Sequence, residues 1–115
     1  IRRFSNPPAL VHALRPRVAV MNNGADKGAT AEVVKVLRES PGIEDIWQVH
    51  YAGPANPKMP VFTAPGGPAS NASEQFIANM DTSTAHLLKI TARTDGSFSI
   101  TNTRNGFTKD YSARR

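Results

Sequence analysis

The sequence predicts an α/β fold: a small mixed sheet with two helices, followed by a C-terminal antiparallel meander. Two observations carry this. The apolar, β-branched run at 17–21 is followed by an amphipathic helical pattern from Ala31 and by an alternating run at 46–52; a strand–helix–strand unit of this length most simply forms a crossover connection within one sheet. The last third of the chain alternates apolar and polar residues around two turn signals, as antiparallel hairpins do. At 115 residues the chain is expected to be one domain or part of one, with a single modest core.

The elements follow in order. Ser5-Asn6-Pro7-Pro8 is expected to cap and start a short helix, because proline fits a first turn where its missing N–H is not needed. Ala9, Leu10, Ala13 and Leu14 are its expected apolar face, and Arg15-Pro16 stops it, since the residue before proline is pushed out of the α region. Arg17 to Met21 is uniformly apolar after its first residue and is expected to be a central strand covered on both faces. Asn22-Asn23-Gly24 ends it with residues that tolerate positive φ.

Thr30 is the expected N-cap of a helix from Ala31 to about Glu39, with Glu32 at the positive end of the dipole. Val33, Val34 and Leu37 share one face, Val36 widens it, and Ser40-Pro41-Gly42 terminates it. In the next strand Ile46, Gln48 and His50 face one way and Trp47, Val49 and Tyr51 the other.

Residues 53–73 hold five prolines and three glycines and are expected to form a long loop, either a functional flap or, the favoured reading since it lacks nucleophile or metal-ligand spacing, a replaceable insertion. Residues 74–80 fit a short helix or an edge strand equally. Then Leu88, Ile90 and Ala92 alternate with polar residues, Thr94-Asp95-Gly96-Ser97 turns, Phe98 and Ile100 alternate again, and Asn105-Gly106 signals a hairpin before Phe107 to Tyr111. The organisation is therefore one domain over 1–115: a helix–strand–helix–strand unit at 5–52, the loop at 53–73, and a short element with the meander at 74–113.

Composition narrows the chemistry. No apolar run approaches the ~18–20 residues that cross a bilayer, so no membrane partner is expected. No signal-peptide pattern follows the opening IRRF. The absence of cysteine excludes disulfides, thiolate zinc sites and cysteine nucleophiles; it fits any compartment, so the localisation is left open with a cytoplasmic setting the most compatible. The net charge is +5, but four of the 14 basic residues are Arg2, Arg3, Arg114 and Arg115, which leaves ten basic residues against nine acidic ones in the body of the chain. Terminal arginines are expected to give only weak, salt-sensitive polyanion binding. Trp47, Phe76, Phe98, Phe107 and Tyr111 are not interleaved with a basic stripe, so they are expected in the core rather than as stacking platforms for bases.

Taken together, the helix at Ser5-Asn6-Pro7-Pro8-Ala9-Leu10-Val11, Pro16, the strand at Val18–Met21, the loop MNNGADKG and the helix and strand that follow resemble the C-terminal part of metallo-β-lactamase-fold hydrolases. The likeness is to the competence-type (DNA-internalisation) branch and its uncharacterised bacterial relatives, and the meander resembles the tail of the same relatives. The resemblance implies one half of an αββα sandwich. It also implies a dinuclear zinc centre whose ligands are missing here: no His-x-His-x-Asp-His segment occurs, only Ile1-Arg2-Arg3 stands where a two-histidine-glycine segment would precede Phe4, and Gly28 is followed by Ala29-Thr30 where the family has His-Pro. No cofactor is therefore expected, zinc entering only if a missing N-terminal half were supplied, and the chain is expected to be a truncation of a longer reading frame if one encodes that segment.

His12, His50 and His86 lack metal-ligand spacing, so the metal set is none, and no catalytic residue is assigned. The loop before the second helix offers a weak anion or substrate site of Asn22, Asn23, Asp26, Lys27 and His50, because free N–H groups and the dipole at a helix N-terminus favour an anion; the alternative is a tight return capped by Thr30. A half-sandwich would leave one sheet face bare, so a homodimer or higher oligomer is expected to cover it. The functional expectation is a non-catalytic or residual C-terminal module that self-associates. The alternative is a stand-alone small hydrolase of phosphodiesters or esters with its site around residues 22–30.

Overall fold

The computed structural model describes residues 7–24, 28–53, 70–81, 83 and 85–114. The Ser5-Asn6 helix start, most of the 53–73 loop, Asp26, Lys27, and Arg2, Arg3 and Arg115 lie outside the described residues. The fold is α/β, with two helices and two three-stranded sheets, one parallel and one antiparallel.

Helix α1, Pro8–Leu14, starts behind Pro7, and Arg15 ends it in the left-handed region at φ 49°. Its buried residue is Val11, and the His12 ring shares a 3.1 Å hydrogen bond between Nε2 and the Val36 carbonyl of the second helix. The expected apolar face is thus turned outward: Leu10 and Leu14 are 51% and 69% exposed. Seven residues make two turns, and the neighbouring helix takes up the Val11–His12 side.

Strand β1, Val18–Met21, runs into helix α2, Ala31–Arg38, and then into β2, Asp45–His50, parallel to β1. Thr30 caps α2 through its hydroxyl, which accepts the Val33 N–H at 3.4 Å, and Val34 and Leu37 are buried as the periodicity demands. After the 3-10 turn Glu74–Phe76, strand β3, Ile77–Asn79, pairs in parallel on the far side of β2. Residues 74–80 are therefore both of the alternatives in succession. The order β1-β2-β3 makes β2 the central strand and corrects the expectation for β1, which among the described strands is an edge.

The meander consists of β4, Leu88–Ala92; β5, Phe98–Asn102; and β6, Thr108–Tyr111, in that order in the antiparallel sheet. Its outer face is polar: Ser99 donates to the Asp110 carboxylate, and Thr101 and Thr108 hydroxyls meet at 2.8 Å.

Three layers result. One face of the parallel sheet, with Ala19, Met21 and Ile46, packs on Val11, Val34 and Leu37 of the helices. The other face, with Val18 and Trp47, packs on Ile100 and Tyr111 of the meander, joined by Phe76, Phe98 and Phe107. The aromatic residues are core, as expected: Trp47 is edge-on to Phe76 and stacked 5.6 Å from Phe107, and Phe98 stacks on Tyr111 at 4.7 Å. Both faces of the parallel sheet are thus covered from within the chain. The bare face on which self-association was expected to rest is occupied by the meander.

The meander crosses the parallel sheet from β3 to β1. At one end Asn102 donates to the Ile77 carbonyl at 2.8 Å; at the other Phe98 and Ile100 share a groove with Val18 and Val20. Among the described residues no strand lies beyond β1 to cover β4, and Ile90, on the apolar side of the meander's alternation, is 54% exposed.

Candidate functional site

Parallel α/β sheets usually take ligands outside the C-terminal ends of their strands, and the expected site residues belong there. The structure brings Asn23 and His50 together. The Asn23 amide donates to the His50 carbonyl at 2.8 Å and accepts the His50 N–H at 3.2 Å, so it acts as an extra rung between β1 and β2. Asn23 is buried and Asn22 beside it is exposed. Gly28, at φ +76°, lies against Asn23; a Cβ there would stand 3.3 Å from the Asn23 Cβ. With Ala29 also at positive φ, two left-handed residues return the chain into the Thr30 cap.

Three further buried amides, which sequence reasoning did not single out, occupy the same end of the sheet. Gln48 donates to Asn71 Oδ1 at 2.7 Å and accepts the Ala72 N–H at 2.9 Å. Asn71 grips the Ala52 peptide on both sides, accepting its N–H at 2.6 Å and donating to its carbonyl at 3.0 Å. Asn79 accepts the His86 N–H and donates to the carbonyls of Val49 and His86. A buried amide has both donor and acceptor capacity to satisfy, and here main-chain groups and a neighbouring amide meet it. Chemically this end of the sheet fastens strand ends and the 70–72 segment together.

Between the sheets a second polar network runs from Trp47 to Lys109. The indole N–H donates to the Tyr111 hydroxyl at 2.9 Å, Tyr111 donates to Asp45 Oδ2 at 2.7 Å, and Lys109 donates to the same oxygen at 2.6 Å. Burial, and then the hydrogen bond to the Asp45 carboxylate, push the Tyr111 phenol well above its ordinary range.

A different surface opens where β1 forms the sheet edge. A groove of about 400 Å³ has Leu14, Val18, Val20, Ile90, Phe98 and Ile100 on its walls, with Arg15, Arg17 and Arg114 at its basic end. Arg17 is held in place: it pairs with Glu44, donates to the Ser112 carbonyl, and lies over the Phe98 and Tyr111 rings at 6.0 and 5.6 Å. Arg114 donates to the Arg15 carbonyl at 3.3 Å, which brings one of the C-terminal arginines back beside the end of α1. Sequence reasoning missed this groove. The signal available was the surplus of leucines on a two-turn helix that can bury only one side.

Comparison of the chain with family models, with curated proteins and with solved structures gave no match.

Proposed function

We propose that the chain is a non-catalytic binding module that accepts an extended segment of another chain along the outer edge of β1. One observation carries this reading: a sheet edge that none of the described strands pairs coincides with an apolar groove. A strand paired on one side presents a row of main-chain N–H and C=O groups to the other. Beside that row Val20 is 39% exposed and Ile90 54%, with Leu14 of α1 on the same groove. Strand addition uses such a surface, the main chain giving affinity and alternate side chains giving selectivity.

The order of elements that resembles metallo-β-lactamase-type hydrolases fits this reading as a C-terminal module without the family's ligands. Against a hydrolytic site around residues 22–30 stands the use of the Asn23 amide as a strand fastener. The test is selection of random peptides displayed on phage, against the wild-type chain and against Val20→Lys, a standard way to block an edge. Enrichment of peptides with alternating apolar residues that slow hydrogen exchange at β1 and fail on Val20→Lys supports the module. Enrichment indifferent to Val20→Lys, or none at all, overturns it.

A further inference from the structure

We infer that the segment taken up at β1 is acidic: an extended stretch with apolar side chains at alternate positions, flanked by carboxylates. The inference rests on the strand-accepting reading above and adds the chemistry of the partner. Arg15 and Arg17 immediately precede β1, so a strand laid along Val18–Met21 has one end among the arginines whichever way it runs. Arg114 joins them through the Arg15 carbonyl.

The charge there is largely unspent. Among the described residues the ion pairs are Arg17 with Glu44 and Lys109 with Asp45, and no carboxylate pairs with Arg15 or Arg114. Both of these arginines are exposed. Away from the arginines the same groove is walled by Val18, Val20, Ile90 and Ile100, so the surface asks for two things at once: aliphatic groups beside Val20 and Ile90, and negative charge at the Arg15 end. A second copy of this chain meets the first requirement and fails the second. Antiparallel copies of β1 would bring Asn22 and Asn23, which follow Met21, and not carboxylates to the Arg15 end, and parallel copies would set like charges together, which opposes association.

The experiment titrates the full chain with three fluorescent, end-blocked peptides. The first alternates valine and serine between glutamate flanks; the second replaces the glutamates by lysines; the third keeps the glutamates around a glycine–serine centre. The acidic apolar peptide is expected to bind, and each of the other two to bind at least about tenfold more weakly. The double variant Arg15→Glu, Arg114→Glu, whose side chains are exposed and whose fold is checked by circular dichroism, should lose about tenfold for the acidic peptide and gain for the basic one.

Equal binding of acidic and basic peptides, both protecting β1, overturns the acidic partner and leaves the strand-accepting reading standing. Equal binding of the glycine–serine peptide means a simple polyanion patch and overturns the inference. A stable dimer by light scattering that Val20→Lys dissolves names a second copy as the occupant and overturns it as well. No binding of any peptide overturns both readings.

Discussion

The Trp47 indole N–H donates to the Tyr111 hydroxyl at 2.9 Å, across 64 residues of sequence and from one sheet to the other. Trp47 is fully buried and Tyr111 nearly so, and the phenol passes the chain of donors on to Asp45. Tyr111→Phe keeps the ring stacked on Phe98 but leaves the indole N–H without its acceptor and removes one donor from the Asp45 carboxylate. The expected loss is about 1–3 kcal/mol, the cost of stranding buried polar groups. Urea denaturation followed by the fluorescence of Trp47, the single tryptophan, measures it. A loss within the error of the wild-type value would mean that the hydroxyl contributes nothing to the joint between the sheets.

The same hydroxyl makes a prediction in alkali. Burial and the Asp45 carboxylate raise the Tyr111 phenol above its ordinary 10.0, so the folded state favours the neutral form. Stability from this source is fully present below pH 10 and is lost as pH rises above it, because the unfolded chain then releases a proton that the folded chain retains. The stability difference between wild type and Tyr111→Phe should therefore be constant up to about pH 10 and shrink beyond it. A difference that grows with pH would give the shift the opposite sign.

The turn between β4 and β5 makes a prediction at the acid end. Asp95 Oδ1 accepts from the Ser97 hydroxyl at 2.6 Å and the Ser97 N–H at 2.9 Å, and these bonds hold its carboxyl below the ordinary 3.8. A depressed carboxyl stabilises the fold above its unfolded value, and that contribution is lost as pH falls through the folded one. Ser97→Ala removes the hydroxyl bond and keeps the backbone bond. The Asp95 titration midpoint, followed by NMR of its side chain, should lie below 3.8 in the wild type and move part of the way back in the variant. No movement would mean that the hydroxyl bond contributes nothing, leaving backbone N–H groups and the Arg93 charge as the causes.

How much of this was legible in the sequence depended on what each residue had to reveal. The two faces of β2, the Thr30 cap, the helical stripe of α2 and the meander could be read because burial imposes a period on several residues in a row. Strand β1 misled because its side chains are apolar for separate reasons: Ala19 and Met21 lie under the helices, Val18 under the meander, and Val20 over an open edge. A central strand and an edge beside a groove give the same letters. Strand β3 has three residues, too few for a period, and its place beside β2 depends on bonds such as Tyr51 N–H to the Asn79 carbonyl at 2.8 Å. The buried amides were illegible for another cause. Asparagine ends strands and makes turns when it points outward, and nothing local marks Asn23, Asn71 or Asn79 as pointing in. The basic end of the groove joins residues 15, 17 and 114, a proximity that only the finished fold creates.

Asn23 permits a test in which shape is kept and one hydrogen-bond direction is reversed. Asn23→Asp retains an oxygen to accept the His50 N–H but sets a second oxygen against the His50 carbonyl, where the amide now donates at 2.8 Å. With the site buried, the ionised carboxylate is both desolvated and repelled, so the introduced group should titrate above the usual aspartate value. The penalty at neutral pH is expected to be roughly 2–4 kcal/mol, larger than for a neutral lost bond because a charge is involved. Since the folded state holds the proton more tightly than the unfolded one, the penalty should shrink as pH falls toward about 4, where the protonated carboxyl can donate to His50 as the amide does. Thermal unfolding of wild type and variant between neutral and mildly acid pH measures this. A penalty independent of pH would show that the carboxylate escapes to water, and that the β1 and β2 ends part readily enough to let it.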